Sequence, residues 1–119
     1  MHGLQTFWIT VHNDFPSIAE PYEFKRVRER GFIVGRFGIA LLYANRYRIT
    51  HLRSGTSMGN VIGFRRAVAI AAIVSELPDL PIKIMANGGW RKTNVRQYAA
   101  IEAMWKQAMS ENGFAAGKS

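Results

Sequence analysis

The chain is predicted to fold as an α+β domain: an antiparallel β-sheet, made of a three-stranded meander plus an N-terminal strand, with two α-helices packed on one face. Three observations predict it. The N-terminal residues are aromatic and β-branched, the central block breaks into short segments at turn dipeptides, and the C-terminal half carries helical spacing. At 119 residues the chain fits one domain spanning 1–119, and 48% apolar with 20% charged residues suits a packed core.

Leu4 to His12 (LQTFWITVH) reads as the first strand. Asn13 to Tyr22 carries Pro16 and Pro21 and reads as a loop. Gly31 to Ala44 is apolar on both alternations, and its three glycines favour one bent strand or two short ones over a helix. Asn45-Arg46 allows a tight reversal into Tyr47 to Arg53, which places Tyr47, Ile49 and His51 on one face and Arg48, Thr50 and Leu52 on the other. Ser54-Gly55 is a second turn signal, so Met58 to Ile62 pairs back and Ile39 to Ile62 forms the meander.

The first helix is expected from about Phe64 to Leu77, deeply buried because Ala67, Val68, Ile70, Ala71, Ile73 and Val74 leave almost no polar face. A buried strand is the competing reading, since eight apolar residues do not fix a period. Pro78 and Pro81 close the segment. Ile82 to Met85 is a short strand candidate, followed by a turn at Asn87-Gly88-Gly89. The second helix starts at a Thr93 or Asn94 cap and repeats Val95, Tyr98, Ile101, Trp105, Ala108 and Met109 at spacings of three and four. Asn112-Gly113 ends it, and residues 1–3 and 114–119 are read as frayed. The helices cover one sheet face, which leaves the other open to solvent.

Charge supplies the functional signal. Between Lys25 and Arg66 the chain holds ten of its sixteen Lys and Arg residues against one acid, Glu29, a balance of +9. The remaining 77 residues balance at −1, with six bases and seven acids. Nine of those ten bases are Arg, whose planar fork matches phosphate oxygens and stacks on bases. A nucleic acid, an acidic protein surface or a nucleoprotein complex is the partner such a field implies.

Four clusters carry the candidate contacts. Arg46, Arg48 and Arg53 lie on the meander beside Tyr47, where guanidinium groups can follow a phosphate backbone and the ring can stack. The competing reading is a solvated face whose Arg stems cover apolar surface, although such faces normally mix both signs. Lys25, Arg26, Arg28 and Arg30 form a run between a proline loop and Gly31, read as a mobile arm or a helical turn. Arg65 and Arg66 open the first helix against its macrodipole, a placement that makes sense if an anion docks there; the plainer alternative is a β-turn with two surface arginines. Arg91 and Lys92 follow Trp90 just before the second helix, as a second anion site or as bystanders of a core aromatic.

Other chemistry finds less support. With no Cys, disulfide frameworks and Cys-based zinc sites are excluded, which suits a reducing compartment. His2, His12 and His51 show no metal-ligand spacing, and no acidic cluster fits a two-metal nuclease. Gly117-Lys118-Ser119 ends like a Walker A motif, but residue 112 is Asn where Gly is required. No metal, cofactor or catalytic residue is expected. No basic segment precedes a long apolar run at the N-terminus, and the longest apolar stretch, Ala67 to Val74, is far below the roughly 20 residues of a membrane span. A cytoplasmic protein without membrane contact is therefore expected.

The element order over roughly residues 39–77 resembles small DNA-binding modules that read a groove with a sheet, on layout alone. The leading expectation is a non-enzymatic nucleic-acid-binding module. The alternative is a small inhibitor or adaptor of the anti-restriction or anti-CRISPR type, encoded by a phage or other mobile element, that docks on a host protein. A third reading, a His-dependent ribonuclease, needs His12 and His51 to meet. Phe7, Trp8, Phe15 and Phe37 fit a homodimer interface as well as a core.

Overall fold

The computed structural model describes residues 4–12 and 24–113, with backbone alone for 10–12 and 24–26. The elements are β1 (Gln5–His12), β2 (Phe24–Val34), β3 (Phe37–Tyr43), β4 (Arg46–His51), β5 (Thr56–Ile62), α1 (Phe64–Ser75), β6 (Ile82–Ile84), β7 (Trp90–Lys92) and α2 (Val95–Glu111). Strands β1 to β5 form an antiparallel five-stranded meander in sequence order, and β6 and β7 form a separate hairpin. The expected α+β class holds, with one more strand in the sheet than the sequence predicts. The expected loop over Asn13 to Tyr22 and the ends read as frayed lie outside the described residues.

The extra strand comes from the basic run. Lys25 to Arg30 belongs to β2, paired with β1 from His12↔Phe24 to Gln5↔Gly31, so it is neither an arm nor a helical turn. Only the last three residues of β2, Phe32 to Val34, pair with β3. The strand changes partner at Gly31, where a Cβ would stand 2.1 Å from the Ile39 carbonyl oxygen. Glycine alone permits that approach, and the sheet bends there.

The bend carries the β1–β2 ribbon over the sheet face that the helices leave uncovered. Phe7 and Ile9 bury against Ala40 with Ile33 and Leu52 around them, and β1 comes close to β5. Phe7 seats directly on Gly38, where an added Cβ would lie 2.5 Å from the ring. The expectation of an open second face is therefore corrected. Burial of Phe7 and Ile9 stabilises the covered arrangement by about 1.5–3 kcal/mol per side chain.

The main core lies on the other face. Phe37, Ile39, Ile49 and Val61 meet Ala67, Ile70, Ala71 and Val74 of α1 and Tyr98, Ile101, Trp105 and Met109 of α2. Both helices thus pack on one face, as expected. Helix α1 buries only the stripe Ala67, Ile70, Ala71 and Val74, while Ile73 is 38% exposed. The expected deep burial is corrected: small alanines at 69 and 72 let an apolar helix face solvent. The β3–β4 reversal falls at Ala44-Asn45, both left-handed at φ 39° and 64°, one residue before the predicted dipeptide. Asn94 caps α2 by accepting from the Gln97 N–H at 3.0 Å. Trp90 to Lys92, assigned to no element from the sequence, forms β7 because Ile82↔Lys92 and Ile84↔Trp90 pair across the glycine turn.

Candidate nucleic-acid interface

Period-two alternation sorts the β1–β2 ribbon into two faces. Phe7 and Glu29, paired across the strands, face the sheet. Thr6, Trp8, Arg28 and Arg30 face outward, with Trp8 paired to Arg28 and Thr6 to Arg30. The Arg28 guanidinium lies over the Trp8 ring at 5.1 Å, and Trp8 remains 46% exposed. A cation held on an aromatic face keeps its hydrogen-bonding edge free for phosphate while the ring offers a stacking surface. No acid stands among the described outward residues of the ribbon, since Glu29 points inward. Lys25 and Arg26 sit opposite Val11 and Thr10 in the backbone register.

The other predicted residues divide. Arg48 Nη2 donates to Glu29 Oε2 at 2.6 Å, inside the curl of the sheet. Arg46 Nη1 donates to Asn60 Oδ1 at 2.5 Å. Tyr47 packs edge-on against Phe64 at 5.4 Å, half-buried rather than presented for stacking. Arg53 donates to the Ile82 carbonyl at 3.0 Å and stands 3.8 Å from Asp79. Arg36, which no candidate cluster included, donates to the Leu77 carbonyl. These guanidiniums all bond within the chain, with Arg48 largely covered and Arg53 still half-exposed.

Arg65 and Arg66 are exposed in the first turn of α1, whose Gly63 cap offers no side-chain bond. The Arg66 guanidinium lies 3.6 Å from where a Cβ on Gly113 would stand. It therefore sits at the C-terminal end of α2, which has no basic residue in its own last turn. A cation is favoured there by the helix dipole, which accounts for Arg66 without a docked anion. Arg91 and Lys92 are both exposed on β7; Arg91 stands directly opposite Lys83, and Lys92 lies over the Tyr98 ring at 4.5 Å.

A second feature was invisible in the sequence. His51 is 1% exposed, with Nε2 3.0 Å from Asp79 Oδ1 and Nδ1 2.8 Å from Ser54 Oγ. Asp79 Oδ1 also accepts the Leu80 N–H, and Ser54 Oγ accepts the Thr56 N–H at 3.1 Å. The ring is flanked by Phe37 and Trp105. Burial holds the His51 pKa below its usual 6.5 against the raising effect of Asp79, with Arg53 and Arg36 lowering it further. The neutral ring that donates from Nε2 to Asp79 and accepts the Ser54 hydroxyl at Nδ1 satisfies both contacts.

Ser54 and His51 of this chain line a pocket of about 180 Å³ together with Met58, Leu80, Trp90, Tyr98 and Glu102. Trp90 stacks on Tyr98 at 5.9 Å and 20°, and its indole N–H donates to Thr56 Oγ1 at 2.9 Å. Burial, then Glu102, raises the Tyr98 pKa above 10. No group of three or more His, Cys, Asp or Glu suited to a metal ion occurs among the described residues, and no helix there is long and apolar enough to cross a membrane. The His12 side chain, required for the ribonuclease reading, lies outside the described residues.

The ribbon went unrecognised because Lys25 to Arg30 reads first as a charge run. Its signal was the alternation of Arg26, Arg28 and Arg30 facing the Thr6, Trp8 and Thr10 alternation of the first strand. No signal links Ser54, His51, Asp79 and Glu102, which only folding brings together. The molecule is thus an α+β domain carrying a basic, aromatic ribbon and a small pocket lined by His51, Ser54 and residues of α2. No family model matches the chain, and no curated protein or solved structure matches it.

Proposed function

We propose that this chain is a non-enzymatic binding module that engages nucleic acid through the outward face of the β1–β2 ribbon. The single observation that carries the reading is Arg28 lying over a half-exposed Trp8, with Arg30 beside it and no acid on the described part of that face. A two-stranded ribbon is narrow enough to enter a major groove, and Trp8 suits stacking on an unpaired base. The arginines engaged in internal contacts contribute to fold rather than to phosphate binding.

Fluorescence anisotropy with a labelled duplex and a labelled single strand, across a salt series, tests the proposal. Affinity falls with salt by about 0.9 log units per log salt for each duplex phosphate neutralised, or about 0.7 on a single strand. Replacing Arg28 and Arg30 with Gln reduces that slope by about two phosphates' worth. Undetectable binding to both probes at low salt overturns the reading.

A second reading keeps one specific support. Leu4, 54% exposed, accompanies Trp8 and Arg28 on the outward face of the ribbon, a mixture typical of protein interfaces. An inhibitor or adaptor docking on an acidic protein surface uses the same face. Capture of a partner that survives nuclease treatment and is lost with Trp8→Ala selects that reading over the first.

A further inference from the structure

The pocket beside α2 combines features that specify a ligand shape. Its volume of about 180 Å³ is below the roughly 300–1,000 Å³ of drug-sized sites, so it fits a single ring system and not a whole nucleotide. Trp90 and Tyr98, stacked on one another, line the pocket together with Met58 and Leu80, which makes most of its wall apolar and aromatic. The polar groups meet the ring's edge. Glu102 supplies an acceptor-only carboxylate, 3.7 Å from Lys106, and the exposed Ser57 supplies a hydroxyl. An acceptor of this kind calls for a ligand with N–H donors at its edge. The surroundings add charge: Lys92 lies over Tyr98, Arg53 is 3.8 Å from Asp79, and Arg91 and Lys83 stand side by side on the β6–β7 hairpin. Lys83 and Arg91 are like charges directly opposite one another, an arrangement that costs stability unless an anion lies nearby.

We propose that this pocket binds one unstacked nucleobase bearing an exocyclic amine, with Glu102 accepting from the amine, Trp90 and Tyr98 beside the ring, and the bases of the β6–β7 hairpin placed for the attached phosphate. The inference rests on the nucleic-acid reading only for the source of the base. Glutamate accepting from a cytosine amine is an established base-edge pairing, and aromatic stacking tolerates any base. The Ser54–His51–Asp79 chain, with the Thr56 N–H bonded to Ser54 Oγ, fixes the β4–β5 turn that leads into Ser57. Leu52 of the same turn packs against Phe7 and Ile9, which links the pocket's edge to the ribbon.

Titration of the ¹⁵N-labelled chain with cytidine, adenosine and uridine, followed by ¹H–¹⁵N correlation spectra, tests this. Cytidine and adenosine shift the Trp90 indole N–H and the Ser57 and Glu102 amides, while uridine, which lacks the amine, does not. Glu102→Leu, which has no acceptor to offer the amine, weakens cytidine binding about tenfold, the effect of losing one good base-edge contact. Glu102 is half-exposed on a helix surface, so the variant keeps its fold, which the dispersion of the same spectra checks; Tyr98→Phe is the second variant and retains cytidine binding. Arg28→Gln with Arg30→Gln leaves the cytidine shifts unchanged but weakens binding of a short cytosine-containing single strand. If cytidine binds and the strand does not, the pocket serves free nucleosides and the ribbon reading fails alone. The absence of shifts with all three nucleosides, or equal shifts with uridine, overturns the proposal whatever the ribbon does.

Discussion

Glu29 and Arg48 meet at 2.6 Å across the gap between the β1–β2 ribbon and the meander, with side chains only 17% and 29% exposed. This one contact both fastens the ribbon over the sheet and withdraws the central arginine of β4 from solvent. The pairing is incomplete: Glu29 Oε1, Arg48 Nε and the neighbouring Thr50 Oγ1 are buried without a hydrogen-bond partner. Unsatisfied polar atoms at such a contact reduce its net benefit while raising the cost of breaking it.

Breaking the pair from one side is therefore expected to cost more than removing it. Glu29→Gln leaves a buried guanidinium without its counter-charge and lowers stability by about 2 kcal/mol, less than for a fully buried pair because water still reaches both groups. Glu29→Leu combined with Arg48→Met, which restores apolar contact with Phe7 and Ala40, is closer to wild type than Glu29→Gln alone. Urea unfolding midpoints at constant m-value measure both. A double variant that loses the sum of the single losses contradicts the account.

Arg65 and Arg66 carry the same charge in the same helical turn, yet neutralising them is expected to act in opposite directions. Arg65→Gln removes a cation from the positive end of α1 and raises stability by a few tenths of a kcal/mol. Arg66→Gln removes the same repulsion but also withdraws the cation beside Gly113 at the negative end of α2, for a net loss of about 0.5 kcal/mol. Thermal melts at low ionic strength resolve the pair, and added salt shrinks both effects. Shifts of equal sign would contradict the role assigned to Arg66.

His51 gives the fold a dependence on mild acid. Its folded-state pKa is lowered below 6.5, chiefly by burial, so the unfolded chain binds the proton more readily. The contribution is fully present above pH 6.5, declines as pH falls below it, and stops changing once the folded state also protonates. His51→Gln, which keeps a hydrogen-bonding side chain but does not titrate, is less stable at pH 7.5 and shows a flatter profile between pH 7.5 and 5.5. Parallel urea titrations across that range check the difference. An identical slope in both proteins removes His51 from the account.

Much of the fold was legible in local sequence. Apolar alternation and turn dipeptides mark β3 to β5, and the three- and four-residue spacing of Tyr98, Ile101, Trp105 and Met109 marks α2, because period and turn chemistry act over a few residues. Lys25 to Arg30 was misplaced since like charges in a row mask a period-two strand, and β7 was missed because three residues are too few to show a period. The candidate site was less legible still. Alternation correctly sets Arg48 and Thr50 opposite Ile49 and His51, but it says nothing of what covers each face.

Composition and local pattern alone thus determined the α+β class, the excess of arginine and the helix caps, since these follow from residue type and neighbours within one turn or one hairpin. Only the tertiary structure decided which arginines reach solvent. The bend at Gly31 lays Phe7 on Gly38, brings Glu29 to Arg48, and leaves Arg28 on Trp8 facing outward. Those contacts join residues far apart in the chain, and their energies arise from burial and approach distances that no sequence window contains.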